Sequence, residues 1–221
     1  MGIAALFAPL SQALVIDLDY EFSGGTDPAG STPWLTATFE QYLLDPNSIV
    51  LTLDAFNLVG TEYIMDVYLN LDPTLNPLDL TITQDPVGPQ ATAISRGVNA
   101  FKADGDGYYD VKFDFVQSGS GDRFGSGETA QFLITNTTGA LSPDDFAFFD
   151  FGGSKGNWVV AAHVGSIDPG GKSGWIAGDG GMPGGGPLDP GPGPSPVPEP
   201  TTLLLFGMGT SILISRKKSL L

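Results

Sequence analysis

Tyr63-Ile64-Met65-Asp66-Val67-Tyr68-Leu69-Asn70-Leu71 is the stretch whose reading decides the fold. Tyr63, Met65, Val67, Leu69 and Leu71 alternate with Glu62, Asp66 and Asn70. A period of two puts successive side chains on opposite faces of a strand, one face apolar and one polar. The same period recurs in both directions. Ile16, Leu18, Tyr20 and Phe22 alternate with Asp17, Asp19 and Glu21, and Leu35, Ala37 and Phe39 alternate with Thr36, Thr38 and Glu40. Leu78–Ile82, Val111–Phe115 and Ala130–Ile134 repeat the pattern. Residues 49–56 and 157–164 are more continuously apolar, as central strands are. Gly-, Pro- and Asp-rich turns separate these runs, among them DPNS, QDPVGPQ, ADGDG and GGSKGN. No window has a 3.6-residue period. The expectation is an all-β domain over residues 14–177 with about eight to ten strands, an antiparallel two-sheet sandwich of jelly-roll-like type.

Composition narrows the function. The chain has 221 residues, no Cys and one His, so disulfides, thiolate chemistry and multi-His metal sites are excluded. Its net charge of -16 leaves no basic surface for phosphate backbones, which excludes nucleic acid as a partner.

Three segments flank the domain. Residues 1–13 open with an apolar run, and Ser11 and Ala13 place small residues at -3 and -1 of a signal-peptidase cut. The usual basic start of a signal peptide is missing, so the expectation is either a signal truncated by a true start upstream of Met1 or a degenerate signal. Residues 178–197 are dominated by Gly and Pro, cannot bury a core, and read as a semi-extended linker. Residues 198–221 contain Pro198-Glu199-Pro200, then the uncharged stretch TTLLLFGMGTSILIS at 201–215, then Arg216, Lys217 and Lys218. As a helix that stretch is about 22 Å long against a hydrocarbon core of about 30 Å, a gap that snorkelling basic side chains can close. Arg216, Lys217 and Lys218 then stay cytoplasmic and the domain faces outward. The expectation is one C-terminal transmembrane helix.

This tail resembles the PEP-CTERM sorting signal of bacterial exported proteins, which has a Pro-Glu-Pro motif, a short transmembrane helix and a basic terminus, in that order. The resemblance implies processing by an exosortase near Pro198, Glu199 and Pro200, in Gram-negative bacteria that make exopolysaccharide. It implies an exported protein, held in the inner membrane at least transiently and then at the cell surface or outside the cell. The segments Asp19–Ser23, Leu69–Pro73, Gly121–Phe124, Ala162–Val164 and Ser173–Ile176 resemble bodies of other such proteins, cyanobacterial ones among them. No activity follows from that body type.

Chemistry-bearing residues are few. Asp104, Asp106 and Asp110 fall in a Gly-rich turn, where alternating Asp can supply oxygens to Ca²⁺. Asp is also common in turns for its local hydrogen bonds, and the third early ligand and the closing Glu of an EF-hand loop are missing. No other cofactor is implied. Trp34, Trp175, Tyr108 and Tyr109 sit at turns or strand ends, where aromatic faces either stack on sugar rings or plug the sandwich. His163 has no G-x-S-x-G partner and reads as structural. Gly170-Gly171-Lys172-Ser173 lacks the first glycine and the helix of a phosphate loop. Asp17/Asp19, Asp144/Asp145, Glu40 and Asp54 would be paired carboxylates for glycoside hydrolysis, but in so acidic a chain a solvated face is the simpler reading. The expectation is no enzyme. It is a structural or adhesive surface or extracellular-matrix protein associated with exopolysaccharide, the alternative being a carbohydrate-binding module and, third, a glycoside hydrolase.

Overall fold

The computed structural model describes residues 13–118 and 122–187. Their strands are β1 (Ala13–Leu18), β2 (Tyr20–Glu21), β3 (Leu35–Gln41), β4 (Ser48–Asp54), β5 (Tyr63–Leu69), β6 (Leu80–Gln84) and β7 (Ala93–Ala103). They continue with β8 (Asp106–Asp114), β9 (Phe124–Gly125), β10 (Thr129–Asn136), β11 (Gly156–Asn157), β12 (Val160–Ile167), β13 (Lys172–Gly178) and β14 (Gly186–Pro187). Helix is limited to two short 3-10 turns among the described residues, Pro77–Asp79 and Pro143–Phe146. The all-β expectation holds.

One sheet has the order β1-β3-β4-β10-β6 and the other β2-β13-β12-β5-β8-β7, with β9 beside β5. Every pairing is antiparallel. Their facing residues close one core. Ile16, Leu35, Phe39, Leu51 and Phe132 come from the first sheet, and Val67, Leu69, Val111, Phe113 and Val164 from the second. The Phe113 and Phe132 rings meet across it at 4.5 Å between centroids. Alternation is cleanest in β4, where Ile49, Leu51 and Leu53 are buried and Val50, Thr52 and Asp54 half-buried.

The second sheet is covered on both faces. Its outer face carries a second cluster of Phe22, Tyr68, Ala103, Tyr109, Trp158, Ala161 and Ala177, with Phe101 and Trp175 packed on it. This is why residues 157–164 are continuously apolar. Two glycines let backbones cross here. A Cβ on Gly174 would lie 2.2 Å from the Thr26 carbonyl oxygen, and one on Gly178 the same distance from that of Asp17.

The folded body extends beyond Ala177. Met182 packs on the core, and Gly186–Pro187 pairs with Gly156–Asn157, so residues 178–187, which composition assigns to the linker, are part of it. Residues 1–12 and 188–221, which include most of the expected signal peptide, the rest of the linker, Pro198, Glu199, Pro200, the expected helix at 201–215 and Arg216–Lys218, lie outside the described residues. Among the described residues no helix is long and apolar enough to cross a membrane.

Candidate functional site

The most polar buried region lies where the β7–β8 hairpin meets residues 148–158. Asp104 and Gly105 form the two-residue hairpin turn, with φ of +50° and +69°. Asp-Gly is the pair that a turn of this twist demands, and Ala103 pairs with Asp106 across it. The sequence run that suggested a Ca²⁺ loop is therefore a hairpin turn followed by a strand.

Its three carboxylates diverge. Asp104 pairs with the Lys155 ammonium. Asp106 Oδ1 accepts from the backbone N (2.6 Å) and Oγ (2.8 Å) of Ser154, and its Oδ2 from the backbone N of Lys155 (3.1 Å). Burial pushes the Asp106 carboxyl up, but these hydrogen bonds and Lys155 outweigh it and hold it below the usual Asp value. Asp110 lies further along β8. Its Oδ1 accepts from Asn99 N (2.7 Å), where the β7 register shifts, and its Oδ2 from Leu71 N (3.1 Å). Asp104, Asp106 and Asp110 thus do not converge, and among the described residues no three His, Asp or Glu side chains gather as metal ligands do.

Asp150 is the residue that sequence reasoning missed. It is 7% exposed. Its Oδ1 accepts from Trp158 N (2.8 Å), and its backbone N donates to Trp158 O (2.8 Å). With its amide turned so that nitrogen and oxygen exchange places, Asn70 closes the same knot, its oxygen accepting from Asp150 N (3.0 Å) and its nitrogen donating to Tyr108 O (3.2 Å). Asp150 Oδ2 has no hydrogen-bond partner among the described residues. Burial and the neighbouring Asp106 charge push this carboxyl up to about 6, against the backbone hydrogen bond from Trp158. The only sequence signal was indirect: Asp150 interrupts the aromatic run 146–151, which a Gly-Gly pair follows.

Beside Asp150 opens a pocket of about 220 Å³. Leu75, Val98, Phe148, Phe149 and Phe151 supply apolar wall, and Asp110 and Asp150 the charged groups. Phe151 is 65% exposed, unusual for so large an apolar side chain.

Burial sorts the expected stacking aromatics. Trp34 is buried and its Nε1 donates to Gly30 O (2.8 Å), so it plugs the sandwich. Tyr109 is buried in the second cluster, where desolvation raises its hydroxyl pKa. Neither presents a face to a sugar. Trp175 is half-buried, with one face covered by the His163 ring at 4.3 Å and 2°. Tyr108 is half-buried beneath the Lys102 ammonium, 4.4 Å from its ring centroid.

Three of the remaining acids serve local structure. Asp17 accepts from Thr36 Oγ1 (2.8 Å), Asp54 from Thr129 Oγ1 (2.6 Å), and Asp145 completes a capping box with Ser142. His163 Nδ1 lies 3.6 Å from Asp66 Oδ2, on the outer face of the second sheet.

Comparison with known proteins bears on the tail. No curated protein and no solved structure gave a significant match to the chain. Residues 196–218 match the family model described as the PEP-CTERM protein-sorting motif. They span Pro198-Glu199-Pro200, the apolar stretch and Arg216–Lys218. The chain thus carries a PEP-CTERM protein-sorting motif, the mark of an exported protein sorted by way of exosortase.

Proposed function

We propose that this is a non-catalytic surface or matrix protein, held briefly in the inner membrane through residues 201–215, cut near Pro198–Pro200, and displayed among exopolysaccharide. One observation carries the reading: the sorting motif at residues 196–218. The body supports it. Its chain passes repeatedly between two antiparallel sheets, as in a jelly-roll-like sandwich, a rigid scaffold for display. Of the carboxylates that could have served glycoside hydrolysis, Asp17, Asp54 and Asp145 are engaged in ladders and a cap. The net charge of -16 keeps copies soluble and apart, and attracts divalent cations.

A carbohydrate-binding role is the second reading, favoured by the pocket at Phe151. Exposed aromatic wall beside carboxylate acceptors suits the apolar face and hydroxyls of a sugar. This moves the glycan contact from Trp34 and Tyr109 to Phe151.

The test is to replace Pro198, Glu199 and Pro200 together by Ala in the native host and label intact cells with a membrane-impermeant reagent. The reading expects wild type to be labelled and to co-purify with exopolysaccharide, and the variant to stay in the inner membrane. Equal labelling and equal release of both would refute it.

A further inference from the structure

The structure leaves one buried carboxylate oxygen unexplained, Asp150 Oδ2. A buried acceptor without a partner is costly, and an ion is one of the few things that resolves it. Two oxygens converge beside Gly153. The point where a Cβ would stand on that residue is 2.4 Å from Asp150 Oδ2 and 2.7 Å from the Gly156 carbonyl oxygen. Gly107 lines the other side, where a Cβ would lie 1.8 Å from Asp150 Oδ2. Only chain without side chains admits the carboxylate to this place.

Asp106 reaches the same loop, its carboxylate accepting from Ser154 N and Lys155 N, which lie between Gly153 and Gly156. Its Oδ2 accepts one backbone N–H and keeps a free lone pair. The Lys155 ammonium is turned to Asp104 and also acts on Asp106, a single positive charge against the three carboxylates Asp104, Asp106 and Asp150. Two negative charges remain uncompensated, which a divalent cation balances. Irregular geometry, carbonyl ligation and completion by water favour Ca²⁺ over Mg²⁺, which demands a near-ideal octahedron.

We propose that Asp150 Oδ2, the Gly156 carbonyl and the Asp106 carboxylate form a Ca²⁺ site that ties residues 150–156 to the start of β8. It is not the loop suggested by sequence spacing: Asp104 and Asp110 do not ligate, and Asp150 comes from 40 residues further along the chain. The site is independent of the sorting, and it shares Asp150 with the pocket of the second reading.

The test uses Tb³⁺ as a Ca²⁺ stand-in on the whole folded body, residues 13–187. Trp158, whose backbone N donates to Asp150, serves as the sensitiser. The expected result is saturable Tb³⁺ emission on indole excitation, displaced by Ca²⁺ but not by equimolar Mg²⁺. A Tm that climbs with each decade of Ca²⁺ should accompany it. Asp150→Asn should weaken Tb³⁺ binding by more than about tenfold, and Asp106→Asn should weaken it too. Asp17→Asn, on the opposite sheet, should leave it unchanged. Circular dichroism of each variant in chelator separates loss of site from loss of fold. Emission that survives Asp150→Asn in a folded protein would overturn the proposal. So would a wild-type Tm indifferent to Ca²⁺, which would mean that a water molecule fills the place instead.

Discussion

Replacing Asp150 by Asn in chelator-containing buffer should stabilise the body near neutral pH and remove one component of its pH dependence. The Asp150 carboxyl is raised from the ordinary 3.8 to about 6 by burial and by Asp106. A raised carboxyl means that the folded state prefers the protonated form. Its contribution is therefore fully favourable below about 3.8 and is lost as pH rises through about 6. A shift of this size corresponds to about 3 kcal/mol at about 1.4 kcal/mol per unit. Asp150 lines an open pocket, so solvent screening reduces the figure to about 2 kcal/mol. Asn keeps the acceptor for Trp158 N, never ionises, and offers an N–H to the nearby Gly156 carbonyl. At pH 7.5 the variant should melt about 4–8 °C above wild type, the usual conversion for a body this size. By pH 4.5 about two-thirds of the difference should be gone, and the two curves should meet only below about 3.8. Differential scanning calorimetry from pH 4.5 to 8 gives the difference directly, and subtraction cancels the relief of general charge repulsion common to both proteins. A difference independent of pH, or a variant less stable than wild type at pH 7.5, would refute the assignment of a strained buried charge to Asp150.

Other outcomes follow from packing. Phe132→Ala empties the centre of the core opposite Phe113 and should cost about 3–5 kcal/mol in urea unfolding. Gly107→Ala forces a Cβ onto Asp150 Oδ2 at a φ of +56° and should destabilise by more than about 1 kcal/mol, whereas Gly127→Ala, at a φ of +78° with open space, should cost about 1 kcal/mol or less. Both are read by thermal melting. Trp34→Phe removes the bond to Gly30 O and should lower stability by about 1 kcal/mol while leaving a glycan-array profile unchanged, because the ring is buried. If the second functional reading holds, Phe151→Ala should abolish any array signal with little change in Tm.

The strands that bury one clean face were legible. Val111, Phe113 and Phe115 alternate because each points into the common core. β7 was not legible. Its residues AISRGVNAFKA are mostly exposed or half-buried, so no apolar period marks them, and the register shift at Asn99 breaks what pattern exists. β13 was hidden by its glycines, two of which are there because another backbone passes too close for a side chain. The same physics hid the end of the body. Residues 178–187 look like linker by composition, yet Met182 and the β11–β14 pair hold them in place.

The site divided along similar lines. Asp104-Gly105 was open to metal and to turn chemistry, which local spacing alone does not separate, and in the structure it is a hairpin turn. Asp150 and Asp106 are 44 residues apart, and only the fold brings them together. For the aromatics both stacking and plugging were open, and Trp34 takes the second, since it sits beside a turn in sequence but beneath it in space. The sorting signal, by contrast, was fully legible, because its chemistry is linear and the family match covers the same residues.

The central claim concerns routing, and the intact mass of the protein from its native host tests it most directly, membrane fraction against culture medium and matrix. The account predicts that the released or matrix-bound form ends near Pro198–Pro200 and lacks the apolar stretch and Arg216–Lys218. A single form retaining Arg216–Lys218 and confined to the inner membrane would contradict it.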